Sequence, residues 1–175
     1  MTKIKVKKVL SQMSKEALID FVLNMYEHSE SVKSLLDNVL TPNPSAGAAQ
    51  LEKYKKVIAK EFYPRNPMSA THGFANAKRA VKEFRDMQPD PMLVADLMMD
   101  VPELACRFTS EYGDMWEQYY TSTATNFEAA LKFMSKHGLL HLFQERAQRC
   151  VKYASPCGWG FADEIQNIYT EYYKN

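Results

Sequence analysis

The stretch Asn126–Tyr173, NFEAALKFMSKHGLLHLFQERAQRCVKYASPCGWGFADEIQNIYTEYY, contains the clearest amphipathic pattern in the chain. Phe127, Leu131 and Met134 recur at the three- and four-residue spacing that places side chains on one side of a helix. A glycine able to adopt positive φ, Gly138, then follows two cations and marks a helix end. Further apolar stripes cover residues 139–151 and 161–172. Because short one-sided helices are marginal alone, these stripes predict helices that cover one another.

The last two helices of this stretch are joined by the turn Pro156–Phe161, whose sequence PCGWGF is the most distinctive in the chain. Two glycines permit backbone shapes that other residues avoid, so Trp159 can be pinned on a neighbouring helix or offered to a ligand. We favour a tryptophan wedge that locks the last helix. Trp159 and Asp163 are nevertheless included in the candidate binding surface, and Cys157 has no identifiable base that would make it a nucleophile.

The same periodicity and its interruptions extend over the rest of the chain. Helices are predicted over about 4–10, 14–26, 29–40, 46–62, 69–84 and 92–113, with breaks at proline clusters. Pro102 either kinks the helix that begins near Met92 or starts another one. Residues 92–100 are apolar on most sides, which predicts a central position in the core.

These patterns predict an all-α protein of about eight short helices packed as antiparallel hairpins. Residues 1–175 are expected to form a single domain, with residues 1–13 as a loosely attached lead-in. Short connections leave two arrangements open, a compact bundle and a solenoid-like stack of hairpins. We favour the stack, because so many consecutive helices pair along the chain.

Composition narrows the classes of function. The chain has 175 residues, a net charge of +1 and three cysteines without a CxxC pair. Neither a disulfide framework nor a zinc site is indicated, and reduced thiols fit a cytoplasmic protein. No signal-peptide core or apolar run of roughly 20 residues is present, so we expect no membrane association.

Charge is unevenly distributed along the chain. Residues 1–88 hold fifteen Lys or Arg against nine Asp or Glu, residues 89–130 hold one against eight, and the remainder six against four. This asymmetry predicts complementary faces that pair with each other. Asp96, Asp100 and Glu103 form one acidic line on a helix, for which we expect an exposed face or ion pairs with the basic residues 78–85.

Two basic helix faces separated by a turn form the candidate binding surface. They contain Lys53, Lys56 and Lys60 on one helix, Lys78, Arg79, Lys82 and Arg85 on the next, and Arg65 between them. Such a face collects phosphate oxygens, and Ser69 and Thr71 would add donors at a helix N-terminus. A solvated face or an intramolecular partner for the acidic segment is favoured over this function.

Aromatic residues cluster where the acidic segment meets the next helix: Tyr112, Trp116, Tyr119 and Tyr120. Core and interface packing explains the cluster, and any exposed members would mark a partner site. His137 and His141 are four residues apart, but Gly138 separates them at a probable helix end, and no metal site is predicted.

No glycine-rich phosphate loop, nucleophile elbow or dinucleotide fingerprint occurs, so no catalytic residue, metal or cofactor is predicted. Our leading hypothesis is a non-enzymatic helical interaction module that binds another protein. The alternative is nucleic-acid or phosphate-ligand binding through the basic face of residues 53–85, chiefly Lys56, Arg65, Lys78, Arg79 and Lys82. The sequence leaves the oligomeric state open.

The order of several segments resembles a family of small, uncharacterised bacterial proteins defined as a domain of unknown function. The similarity extends from about Ser14 onward, and its most specific motif is the Gly-Trp-Gly-Phe-x-Asp turn. The segments that carry it are Lys53–Pro64, Ala77–Phe84, Ala95–Met98, Tyr112–Asp114, His137–Leu140 and Gly158–Asp163. The resemblance implies a bacterial, cytoplasmic, all-helical protein, and it implies no activity or cofactor.

Overall fold

The computed structural model describes residues 2–40, 44–66 and 72–174, and every regular element within them is an α-helix. The all-α prediction is therefore confirmed for this part of the chain. The helices are α1 (Lys3–Leu10), α2 (Lys15–His28), α3 (Glu30–Leu40), α4 (Pro44–Phe62), α5 (Phe74–Asp86), α6 (Pro91–Tyr112), α7 (Glu117–Lys136), α8 (Leu140–Ala154) and α9 (Phe161–Tyr173).

The helices form two compact units, Met1–Asn43 and Pro44–Asn175. In the first unit α2 packs against α3, and the Tyr26 hydroxyl donates a 2.9 Å hydrogen bond to Asp37. The side chain of Ser14 accepts a hydrogen bond from the Ala17 amide and caps α2. None of the residues described between 2 and 40 is fully buried. The expectation of one domain over 1–175 stays a prediction.

The second unit is built around α6, which packs against α4, α5, α7 and α8, while α9 covers α7 and α8. Val94, Ala95, Leu97 and Met99 are all buried in α6, so the predicted central position of this segment is confirmed. A helix that is apolar on most sides needs cover in several directions. For this reason α4 to α9 form a compact bundle, and the stack of hairpins that the sequence favoured is wrong.

Helix α6 is continuous through Pro102, so this proline does not start a new helix. The Asp90 carboxylate accepts a 2.7 Å hydrogen bond from the Met92 amide, and Pro91 occupies the first turn, where its missing N–H matters least. The helix ends at Gly113, whose φ is +100°. Residues Pro91–Tyr112 therefore form one 22-residue helix.

The turn between α7 and α8 follows the pattern predicted from Lys136, His137 and Gly138. Gly138 has a φ of +70°, and the Leu139 amide donates to the Met134 carbonyl over 2.8 Å. This is the hydrogen bond that closes a helix with a left-handed residue after its last turn. His137 stacks near Phe133 at 4.3 Å between ring centroids.

Among the residues with described positions, no helix combines the length and hydropathy needed to cross a bilayer. Over the same residues, no group of three or more His, Cys, Asp or Glu side chains is arranged to share a metal ion. His137 follows α7 and His141 belongs to α8, so the two imidazoles do not occupy one helix face.

Candidate functional site

The turn between α8 and α9 points its two aromatic residues in opposite directions. Trp159 has a φ of +58° and Gly160 a φ of +74°, so two consecutive residues are left-handed. This geometry leaves Trp159 85% exposed, while Phe161 is buried and stacks on Tyr120 with a centroid distance of 4.3 Å. The predicted Trp159 wedge is wrong, because Phe161 is the residue that anchors the last helix.

Asp114 holds this turn against the loop between α6 and α7. Its Oδ1 accepts a 3.1 Å hydrogen bond from the Gly158 amide and a 2.8 Å bond from the Tyr120 hydroxyl. These bonds, from Gly158 first and Tyr120 second, lower the pKa of the Asp114 carboxyl. The Tyr120 oxygen also accepts from the Met115 amide over 3.0 Å and lies 3.1 Å from the Thr109 hydroxyl. The residue before Trp159 is thus bonded to a carboxylate that Tyr120 holds in place.

Two further exposed aromatic residues flank Asp114 in the chain. Tyr112 is 54% exposed and Trp116 is 55% exposed. Since Asp114 contacts Gly158, these two residues and Trp159 lie at the same end of the second unit. We call Tyr112, Trp116 and Trp159 the aromatic end. The predicted aromatic cluster is therefore divided, because Tyr119 and Tyr120 are buried and the other two are not.

A histidine that the sequence analysis did not single out supports the aromatic end. The His72 ring lies 4.5 Å from that of Phe108, 5.7 Å from that of Trp116 and 5.3 Å from that of Tyr119. Burial lowers the pKa of His72, and its Nδ1 is buried without a hydrogen-bond partner among the described residues. The imidazole therefore acts here as a neutral ring that supports Trp116.

Acidic residues surround the aromatic end. Asp163 and Glu164 are exposed in the first turn of α9, three and four residues after Gly160. Glu117 occupies the first turn of α7 next to Trp116, and Asp114 lies between the two turns. Carboxylates are favourable at helix N-termini, which accounts for three of these positions. Together they make the surroundings of Trp159 negative.

The predicted basic face does not form one site. Lys56 lines a 390 Å³ cleft together with Arg107 and Tyr153, whereas Lys78 and Lys82 line a separate 220 Å³ cleft between α5, α6 and α7. We call the second of these the α5 cleft. Arg65 is exposed after α4, and Arg79 donates to Asn76 over 3.0 Å. The candidate donors Ser69 and Thr71 lie outside the described residues.

The acidic line of α6 pairs with α8. Arg146 donates from its three guanidinium nitrogens to Asp96 at 2.5 Å, Asp100 at 2.6 Å and Glu103 at 2.7 Å. Arg149 adds a second bond to Glu103, and Lys55 bonds the other oxygen of Asp96. We call these six side chains the Arg146 cluster. The expected pairing with residues 78–85 is wrong for the described residues, because Lys82 bonds Asp86 and Arg79 approaches Glu83 within α5.

Burial sets the energetics of the Arg146 cluster. The Arg146 side chain is 19% exposed and that of Asp100 is 15% exposed. Burial alone lowers the pKa of Arg146, but Glu103 and Asp100 outweigh it and the net shift is upward. All three carboxylates are thus neutralised from α4 and α8, so the cluster connects helices and leaves no charge for a ligand. The only sign of this cluster in the sequence was the acidic line on α6, because three aligned carboxylates that become buried need cations beside them.

Cys157 is close to polar groups but is not activated by them. Its Sγ lies 3.6 Å from the Thr109 hydroxyl and 3.7 Å from the Tyr153 carbonyl. Burial raises the pKa of the Cys157 thiol, which keeps it in the protonated form that is a poor nucleophile. The contacts therefore fit a packing role beneath the turn.

Comparison with known proteins places the chain in a family. A family model described as a family of unknown function, DUF6155, matches residues 1–173, and the chain belongs to that family. Searches of the curated proteins and of the solved structures found no match.

Proposed function

We propose that this member of a family of unknown function is an interaction module that binds another protein through its aromatic end. The observation that carries the proposal is the state of Trp159, which is 85% exposed and left-handed at the same time. Its neighbours Tyr112 and Trp116 extend the exposed aromatic surface.

The fold gains little from a tryptophan at this position. A left-handed backbone costs an L-residue about 1–2 kcal/mol, and bulky side chains are rare there. An indole that is 85% exposed recovers almost no hydrophobic stabilisation in return. Glycine would adopt the same backbone without strain. Residues held in unfavourable conformations at the surface are concentrated at functional sites, which supports a role for Trp159 in binding.

The rigidity of the turn also supports binding. The hydrogen bonds from Gly158 and Tyr120 to Asp114 fix the backbone before a partner arrives. A turn whose backbone is already fixed loses less entropy on binding, and tryptophan is enriched among the residues that contribute most to interface affinity. Trp159 has the properties of such an anchor.

The charges around the anchor suggest the chemistry of the partner. The acidic side chains of Asp163, Glu164 and Glu117 are exposed near the aromatic end. A complementary surface would offer an apolar pocket for the indole with Lys or Arg around it. We further propose that this partner is met in a bacterial cytoplasm, where the free thiols of Cys106, Cys150 and Cys157 stay reduced.

The alternative function has less support. Nucleic-acid or phosphate binding over one continuous face of residues 53–85 requires Lys56 to act together with Lys78 and Lys82. These residues line two different clefts, and acidic residues occupy the cleft of Lys56. A mixed single-stranded oligonucleotide pool tests this alternative, which requires binding that weakens as salt is raised.

Site-specific photo-crosslinking tests the proposed function. A photoreactive phenylalanine, which keeps a large aromatic ring in the place of the indole, replaces Trp159 in one protein and Gln148, an exposed residue of α8, in a control. We expect the first to crosslink the same protein repeatedly in cell extract and the second not to do so. Excess unlabelled wild-type protein should suppress the product, whereas excess Trp159→Ala protein should not. Equal crosslinking from both positions, or competition by both proteins, would reject the proposal.

A further inference from the structure

We propose that the α5 cleft binds a small organic anion with an apolar body, such as an aryl or short alkyl phosphate. The cleft has a volume of 220 Å³ and lies between α5, α6 and α7. None of its lining residues belongs to the aromatic end, so this inference is independent of the proposed function.

The positive rim of the α5 cleft comes from one helix. Lys78, Lys82 and Arg85 are at positions i, i+4 and i+7 of α5, which aligns them on one face. Lys82 is partly neutralised by Asp86 at 2.7 Å. The side chains of Lys78 and Arg85 have no hydrogen bond or ion pair with any described residue. Two uncompensated cations and a third nearby suit a ligand with one or two negative charges.

The floor of the α5 cleft is apolar. Val81 belongs to α5, and Met98 and Val101 belong to α6. A bare inorganic anion would lose hydration against these side chains without gaining a hydrogen bond from them. A ligand that covers them with an aromatic ring or a short alkyl chain gains hydrophobic contact instead. The floor therefore favours an organic anion over inorganic phosphate.

The third wall adds a polar group. Asn126 of α7 uses its amide nitrogen to donate to the Ser122 carbonyl over 2.6 Å, which leaves a second N–H of the same group available. Thr125 donates its hydroxyl proton to Thr121 and has lone pairs left to accept a hydrogen bond. A phosphate monoester matches this wall, because its oxygens accept hydrogen bonds and its protonated form also donates one.

The volume limits the size of the ligand. The cleft volume of 220 Å³ corresponds to the volume of about seven water molecules in the liquid. It is smaller than the roughly 300–1,000 Å³ of pockets that bind drug-sized ligands. A single ring or short chain with one anionic group fits these limits. A nucleic-acid strand would place further phosphates beyond the three cations and would leave the apolar floor without a role.

Titration with three probes followed by NMR chemical shifts tests the site. The probes are phenyl phosphate, inorganic phosphate and benzyl alcohol. For phenyl phosphate we expect a dissociation constant of about 1 mM, as for other ligands of this size, and binding at least about fivefold weaker for each of the other two. The shifted amides should lie in α5 and in the facing turns of α6 and α7.

Three variants separate the cleft from diffuse charge. Lys78→Met/Arg85→Met should weaken phenyl phosphate binding by about tenfold or more, because it removes both unpaired cations. The control Lys53→Met/Lys60→Met removes the same charge from exposed positions of α4 and should change binding by less than about twofold. Ala129→Leu fills the cleft from α7 without changing charge and should also abolish binding.

Three results would overturn the inference. The first is that both double variants weaken phenyl phosphate binding equally, which would mean that the net charge of the protein alone attracts the ligand. The second is undiminished binding to a folded Ala129→Leu protein. The third is tighter binding of an oligonucleotide that Ala129→Leu does not affect, which would assign the rim to nucleic acid. The crosslinking from position 159 is independent of all three results.

Discussion

The Arg146 cluster and the aromatic end belong to the same unit of α4 to α9, but the side chains of the first are mostly buried and paired, whereas those of the second are exposed. In the cluster, each guanidinium nitrogen of Arg146 bonds a carboxylate, and the Arg146 side chain is 19% exposed. At the aromatic end, Trp159 is 85% exposed although Asp114 holds the backbone of the preceding residue, Gly158. One region satisfies its groups internally, and the other leaves them to solvent.

This difference indicates that the Arg146 cluster contributes to stability and that the aromatic end is available for binding. A buried charge network depends on every partner, because removing one leaves the others uncompensated. An exposed aromatic side chain on a fixed turn can be removed without disturbing the interior. Substitutions in the Arg146 cluster should therefore change the free energy of unfolding, and substitutions at Trp159 should change affinity for a partner.

The largest expected effect is the loss of Arg146. Arg146→Ala should lower the free energy of unfolding by about 3–5 kcal/mol, because Asp96, Asp100 and Glu103 lose their shared cation in a half-buried site. The control Arg149→Ala removes an exposed bond to Glu103 and should cost less than about 1 kcal/mol. Urea unfolding measures both values. Similar values for the two variants would show that the cluster is a set of ordinary surface pairs.

Loss of the Tyr120 hydroxyl should have an intermediate effect. Tyr120→Phe keeps the stacking on Phe161 and removes the hydrogen bonds to Asp114, Met115 and Thr109. The loss of these bonds should lower the free energy of unfolding by about 1–2 kcal/mol. The Tyr172 hydroxyl has no hydrogen bond with a described residue, so Tyr172→Phe is a matched control with little expected change. Thermal unfolding measures both. If the two variants unfold at the same temperature, the Asp114 contacts do not hold the turn.

Replacing Trp159 by glycine should leave the free energy of unfolding unchanged or raise it by up to about 1.6 kcal/mol. Relief of the left-handed strain favours the folded state by about 1–2 kcal/mol, and the added freedom of the unfolded chain offsets about 0.4–1 kcal/mol of that. Trp116→Ala removes ring contacts with His72 and Tyr119 and should destabilise the protein. A clear loss of stability in Trp159→Gly would mean that the indole serves the fold.

Protonation of His72 should have the smallest effect on the free energy of unfolding. Its pKa in the folded protein is lowered by burial, so the unfolded chain binds a proton at a higher pH. Stability should therefore fall as the pH drops below the ordinary histidine value of about 6.5. His72→Phe keeps a ring and removes the proton, so unfolding between pH 7.5 and 5.5 should depend less on pH. An unchanged pH dependence in this variant would contradict the burial of a neutral imidazole.

Sequence periodicity predicted most of the secondary structure, because the spacing of apolar residues within a helix indicates its buried face without reference to distant segments. The proline break before residue 92 predicted the start of α6, and Gly138 predicted the turn after α7. The arrangement of helices was harder to predict. Whether α6 lies at the edge of a stack or the centre of a bundle depends on contacts between residues far apart in sequence.

The candidate site was only partly predictable for the same reason. The Gly158–Phe161 sequence indicates a special turn, but which aromatic residue points inward depends on two φ angles and on Asp114, 44 residues away. The acidic line on α6 was visible, whereas its partner Arg146 was hidden among the polar residues of α8. His72 has no local pattern, since its environment comes from three other segments.

The affinity of the wild-type and Trp159→Ala proteins for the purified protein that crosslinks from position 159 tests the central claim most directly. We predict that the variant binds at least about 30-fold more weakly, which corresponds to about 2 kcal/mol for an anchor residue, while both proteins unfold at the same urea concentration. An affinity within about twofold of wild type would contradict the claim that Trp159 is the residue this protein presents to its partner.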